Sequence, residues 1–159
     1  DPERVVEAIE NLPKAMELSK ALLSVLQGVS PIVCREIQHL TGRGRDVVNG
    51  EMNKEQRDRL LFFLRRLKDT LVNISGKPYL AVDLSQKPMD FSFLRIEQYG
   101  LAAGVRGSGR FSEIMDEFYE ERERRERKGG KEEELLRLFN NVSERLGRKI
   151  QGQRTALEA

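Results

Sequence analysis

Between Glu120 and Glu134 the chain runs EERERRERKGGKEEE without one apolar residue. No segment of that kind can be folded into a core, because burying unpaired charge costs several kcal/mol per group. Good helix formers dominate it, so it predicts a solvated helix rather than a loop. Beyond it Leu135, Phe139, Val142, Leu146, Ile150 and Leu157 recur at spacings of four, three, four, four and seven. That is the apolar seam of a two-helix coil, of which one helix is present. Ile114, Met115, Phe118 and Tyr119 mark a packed root, so the reading is one long charged arm helix from Ser112 to Ala159. Gly129 and Gly130 each cost about 1 kcal/mol in a helix, and a break or bend is expected there.

The preceding residues form a separate, more ordinary region. Pro2–Leu12 reads as an amphipathic helix with Val5, Val6, Ile9 and Leu12 on one face. Pro13 suits the first turn of a second helix, Lys14–Leu26, which Gly28 breaks. Ser30-Pro31 opens a third helix in cap-then-proline order, ending near Thr41-Gly42. Asn53 and Gln56 have capping-box spacing and start a fourth, whose stripe is Leu60, Leu61, Leu64, Leu67, Leu71 and Ile74. The period then changes. PYLAVDL and PMDFSFLRI predict a β-hairpin around Ser85–Pro88, with Tyr79, Phe91 and Phe93 alternating on its buried face. GLAAGVRGSGR reads as a hinge; GVRGSG lacks the lysine and leading strand of a phosphate loop. The expected fold is therefore mainly α: a helix-hairpin-helix bundle over 1–75, a short β-hairpin over 76–99, a glycine-rich hinge over 100–111, and a coiled-coil arm helix over 112–159, truncated.

Composition removes several functions. The longest apolar run, Leu60–Leu64, is far short of the roughly 18–20 residues of a membrane span. One cysteine, Cys34, and one histidine, His39, leave no disulfide and no cysteine- or histidine-rich metal site. Cys34 reads as a small packing residue and His39 as a helix-surface or core histidine. Carboxylates of Glu120–Glu134 lie on an exposed helix, unlike a buried acid/base pair. No catalytic residue, metal or cofactor is expected, and neither membrane contact nor a secretory leader. The setting reads as cytoplasmic.

The segment LQGVSPIVCREI, Leu26–Ile37, has the pattern of a helix-hairpin-helix, with Gly28 giving the turn its backbone freedom. In such hairpins, amides at the second helix's start face outward and hold a phosphate without reading bases. Gly28, Val29 and Ser30 are the expected contacts. Where such hairpins carry a second glycine and a basic residue, this chain has Ser30 and Ile32; an ordinary tight turn between helices gives the same pattern. Net charge is only +2, but eight basic residues against four acidic fall between Gly42 and Lys68. Arg43 and Arg45, with Arg57, Arg59, Arg65, Arg66 and Lys68, could flank the hairpin as a phosphate-facing patch or line a solvated helix face. Near the arm's end Arg145, Arg148 and Lys149 could meet RNA or serve only pairing and solubility.

Three stretches in order, LSKALLSVLQGVSPIVCREI, GKPYLAVDL with KPMDFSFLRIEQYG, and RFSEIMDEFYEERERRER, resemble the bacterial NFACT family, the RqcH-like proteins also known as fibronectin-binding proteins. The resemblance covers most of the chain and places it as a middle fragment. It implies a ribosome-associated quality-control factor that binds large ribosomal subunits still holding peptidyl-tRNA and recruits alanyl-tRNA for alanine tailing of stalled nascent chains. Its implied partners are the large ribosomal subunit, through rRNA, and tRNA. The family's older label implies a cell-surface adhesin for fibronectin, and the hairpin alone admits a DNA-binding module.

An arm seam with no returning helix predicts self-association through Leu135–Leu157 when the chain is isolated. Sedimentation velocity should show the apparent mass rising with concentration; a concentration-independent monomer would refute the pairing.

Overall fold

The computed structural model describes the backbone of residues 1–157, with the side chains of 1–148 and 151. Two compact units divide it, Asp1–Phe118 and Tyr119–Ala159. The chain is mainly helical with one small sheet, in the order α1 (Pro2–Glu10), α2 (Leu18–Val25), α3 (Pro31–Gly42), α4 (Lys54–Val72), β1 (Tyr79–Val82), β2 (Pro88–Ser92), β3 (Gly104–Gly107) and α5 (Phe111–Leu157).

Local signals placed the helix starts. Asp1 caps α1, accepting from the Glu3 amide. The Asn53 carboxamide accepts from the Gln56 amide at 2.8 Å while Gln56 Oε1 accepts from the Asn53 amide at 3.0 Å, a reciprocal box that satisfies two orphan donors of α4. Pro31 occupies the first turn of α3, where its missing N–H costs nothing. The second helix is shorter than its periodicity suggests. It starts at Leu18, because the amides of Met16 and Leu18 are claimed by Asn49 Oδ1 and the Val47 carbonyl. Asn49, fully buried, also donates to the Ile9 carbonyl at 3.0 Å, so one side chain fixes the α1–α2 connection, and Pro13 lies in that connection rather than in a helix.

Val6, Ile9, Leu18, Leu22, Val33 and Ile37 meet Leu60, Leu64 and Leu67 of α4 in one apolar core. The sheet order is β2-β1-β3, all antiparallel. β1 is covered on both faces. Ala81 and Tyr79 join the helical core, while Leu80 and Val82 pack with Phe91, Ile114 and Phe118 at the root of α5. This divides the three aromatics expected on one face: Phe91 lies opposite Leu80 and takes the α5 side, whereas Phe93, past the end of β2, joins the helical core with Tyr79. The glycine-rich stretch expected as a hinge forms β3 instead, Tyr79 pairing with Gly107 and Val82 with Gly104. Its strand character comes from the free edge of β1, and Gly104 allows close approach, since a Cβ there would lie 3.2 Å from Val82.

In the second unit the helix continues through Gly129 and Gly130 without a break. Neither glycine has a neighbour within 4 Å. The cost of about 1 kcal/mol each is partly offset by a ladder of ion pairs, Glu121–Arg125, Arg122–Glu126 and Glu123–Arg127, at a few tenths of a kcal/mol apiece. Leu135, Phe139, Val142 and Leu146 are all more than half exposed, so the seam stands open along the described residues. The side chains of Ile150 and Leu157 lie outside them.

The first unit also buries one carboxylate. Glu36 on α3, 2% exposed, accepts from the amides of Glu97 (2.9 Å) and Gln98 (3.0 Å) and from Gln98 Nε2 (3.1 Å). Burial pushes its pKa up, against the downward pull of those donors. Glu36→Ala should cost about 2–3 kcal/mol in urea unfolding, since it strands buried amides. Because the folded pKa is raised, the carboxyl's contribution is present below the unfolded value of about 4.5 and is lost as pH rises through the folded one. Wild-type stability relative to Glu36→Gln should therefore fall as pH rises from 4 toward 7; a difference flat with pH would count against this reading.

Candidate nucleic-acid interface

The α2–α3 turn forms where the apolar stripe of α2 stops. Leu26 leaves the helix with an extended backbone, Gly28 takes φ +76°, and Ser30 leads into Pro31. α2 and α3 pack closely, with Ala21 and Leu22 against Ile32 and Val33 in the core. Val29 packs against that core with its side chain, while Gly28 and Ser30 are exposed. Ser30 is the N-cap residue, but its side chain makes no capping bond. The Val29 amide closes the turn back toward Leu26, whereas those of Gly28, Ser30 and Ile32 have no partner among the described residues. Three unpartnered donors around a helix start, reinforced by the positive end of the α3 dipole, are what an anion needs.

A groove of about 600 Å³ runs from this turn to the sheet, with Gly28 and Ser30 at one end and Phe91, Phe93 and Phe111 along it. Its cation was not foreseen from the sequence. Arg35, one helical turn beyond Pro31, lines the groove and donates to Asp90 Oδ2 at 3.3 Å and to Gln98 Oε1 at 3.1 Å. Asp90 also accepts from the Tyr99 hydroxyl at 3.4 Å; burial raises the tyrosine's pKa. Arg35 uses two of its five guanidinium donors in these bonds. The basic residue missing at position 32, where Ile32 is in the core, is thus supplied one turn later. The signal was available in principle: Arg35 is the one basic residue on the first two turns of α3.

The expected arginines do not join this turn. Arg43 is the C-cap of α3, in left-handed backbone at φ 51°, and Arg45 follows it. Twelve helical residues separate them from Ser30, roughly 18 Å at 1.5 Å per residue. Nor is the basic stretch free charge. Arg43 and Arg59 share Glu55, Arg57 meets Glu10, and Arg65 meets Glu3. Arg65 and Lys68 together hold the exposed Glu3 carboxyl below its ordinary pKa. The solvated, charge-balanced face therefore describes most of this stretch better than a phosphate patch. In the second unit Arg145 is exposed, Arg148 pairs with Glu144 at 3.7 Å, and the Lys149 side chain lies outside the described residues. Cys34 is buried and its thiol pKa raised by that burial, so it packs and does not attack.

A family model described as NFACT N-terminal and middle domains matches residues 1–159. The chain belongs to the NFACT family. Neither the curated proteins nor the solved structures compared with it gave a match. NFACT domains are associated with ribosome quality control and RNA binding in general, which is the setting in which an amide-lined turn beside an arginine has a use. No helix among the described residues of this NFACT chain is long and apolar enough to cross a membrane.

Gly28→Val should cost about 1–2 kcal/mol, all of it backbone strain, because a β-branched residue must adopt φ +76° while its Cβ would meet nothing within 4 Å. Chemical denaturation reads this directly, and an unchanged midpoint would contradict the turn geometry.

Proposed function

We propose that this NFACT chain is a non-enzymatic RNA-binding module of an RqcH-like ribosome quality-control factor, working in the cytoplasm. In this reading α2, the turn and α3 act as a helix-hairpin-helix. A phosphate of tRNA or rRNA sits against the Gly28-Val29-Ser30 turn, taking the amides of Gly28 and Ser30, and Arg35 adds a charge-assisted bond. The arm helix would meet rRNA through Arg145, Arg148 and Lys149. In the whole protein these contacts would serve the binding of large subunits that retain peptidyl-tRNA and the recruitment of alanyl-tRNA for alanine tailing. The observation that carries the reading is the set of unpartnered amides, Gly28, Ser30 and Ile32, around a positive-φ glycine, beside a groove that holds one arginine. Such a surface grips backbone and reads no sequence, as a factor acting on many stalled messages requires.

Cosedimentation with purified large subunits across a salt series tests it. Saturable binding is expected, falling roughly 10–50-fold between 50 and 200 mM salt if about two or three phosphates are contacted. Arg35→Ala should weaken it several-fold and flatten the salt slope. Fibronectin capture insensitive to RNase, with no subunit binding, would replace this reading with the adhesin. Duplex DNA competing as well as tRNA would replace it with a DNA-binding module.

A further inference from the structure

A second cleft lies on the first unit, between α3, α4 and the start of β1, and shares only Phe93 with the groove at the turn. Its volume, about 610 Å³, is within the range of small-molecule sites. Leu40, Phe63, Leu67 and Phe93 supply an apolar, partly aromatic lining. Arg66 and Lys77 stand on the cleft, and neither has an acidic partner among the described residues. That contrasts with Arg57, Arg59 and Arg65 on the same helix, each of which meets a carboxylate. Arg95 lies 3.6 Å from Glu97, also on the cleft, so that acid is already balanced. The other acid there, Glu36, is consumed by its three donors. Two uncompensated cations therefore face a lining suited to a flat ring.

The backbone at this edge is strained and is held by its neighbours. Ile74, a β-branched residue, has φ 49°, a conformation that costs it about 1–2 kcal/mol. Two residues on, Gly76 packs so closely on Phe93 that a Cβ would lie 3.0 Å from the phenylalanine Cβ. The Lys77 amide then bonds the Phe93 carbonyl at 3.0 Å. Strain retained beside a cleft is characteristic of binding sites, and here it brings Ser75 and Lys77 to the cleft wall.

We propose that this cleft takes a single ribonucleotide of an RNA strand, its base against Phe63 and Phe93 and its phosphate between Arg66 and Lys77. The inference deepens the RNA-binding reading and depends on it for the source of the nucleotide; the cleft's own chemistry stands apart from the α2–α3 turn.

Amide chemical shifts of the chain should be followed while the four ribonucleoside 5′-monophosphates, and separately inorganic phosphate, are titrated in. Saturable shifts centred on Ser75, Gly76 and Lys77 are expected, with inorganic phosphate at least tenfold weaker. The double change Arg66→Ala and Lys77→Ala, both at exposed positions, should weaken nucleotide binding tenfold or more, whereas Arg57→Ala, on the same helix but off the cleft, should leave it unchanged. Inorganic phosphate shifting Ser75–Lys77 as tightly as nucleotide, no saturable shift at those residues, or a double variant that binds normally would each overturn the proposal. Nucleotide binding here without subunit cosedimentation would sink the ribosomal reading and leave the cleft standing. Subunit binding without nucleotide shifts would do the reverse.

Discussion

The first unit hangs on one buried carboxylate. Glu36 sits on the buried side of α3 and draws in two consecutive backbone amides, Glu97 and Gln98, from the segment following β2. Those amides would otherwise be orphan donors against an apolar core, and the carboxylate would be an unpaid charge. Each cancels the other's desolvation only if α3 and the sheet segment stay in register. Gln98 strengthens the lock by donating to both Glu36 and the Ile32 carbonyl. The helix and the sheet, which share few other polar ties, are thereby fixed to within hydrogen-bond tolerance.

That lock is what gives α3 two working sides. On one, Arg35 reaches Asp90 and lines the groove that opens at Gly28 and Ser30. On the other, Ile37 and Leu40 form a wall of the cleft that holds Arg66 and Lys77. Both hollows are defined by the spacing between α3 and the sheet, so neither survives as a site if the spacing drifts. Charge follows the same division. Where an arginine has only a surface helix to lie on, as at positions 57 and 65, it is met by an acid and is worth little. Where it borders a hollow it retains donors or lacks an acid altogether.

The sequence was legible where the deciding forces are local. The Asn53–Gln56 box and the Ser30-Pro31 start each involve residues within one turn, so spacing alone identifies them. The hairpin between β1 and β2 follows from alternation and a turn. Legibility failed where a distant partner decides. Lys14–Glu17 has helical periodicity, yet Asn49, more than thirty residues away in sequence, takes the Met16 amide and holds the segment extended. Gly104–Gly107 has little strand propensity beyond Val105 and becomes a strand because β1 offers an open edge. At the candidate site Gly28, Val29 and Ser30 were readable as a turn. Arg43 and Arg45 were close in sequence but are placed at the far end of α3, and Arg35 was hidden because its meaning depends on Asp90 and Gln98, 55 and 63 residues on.

Glycine usage separates the two clefts in kind. At the α2–α3 turn the positive-φ position is a glycine, so the open amides are displayed with no strain to hold them. At the end of α4 the comparable left-handed position is Ile74, 90% exposed, which gains no burial in return for its strain. A glycine there would satisfy the same C-terminal geometry more cheaply. An isoleucine disfavours this conformation in the unfolded chain, so it persists because the Gly76–Phe93 contact and the Lys77–Phe93 bond over-determine the link. The turn is thus a surface displayed by a permissive residue, while the edge of the second cleft is held at a restrictive one. A backbone-gripping contact tolerates the first; a pocket that must fit a ring needs the second.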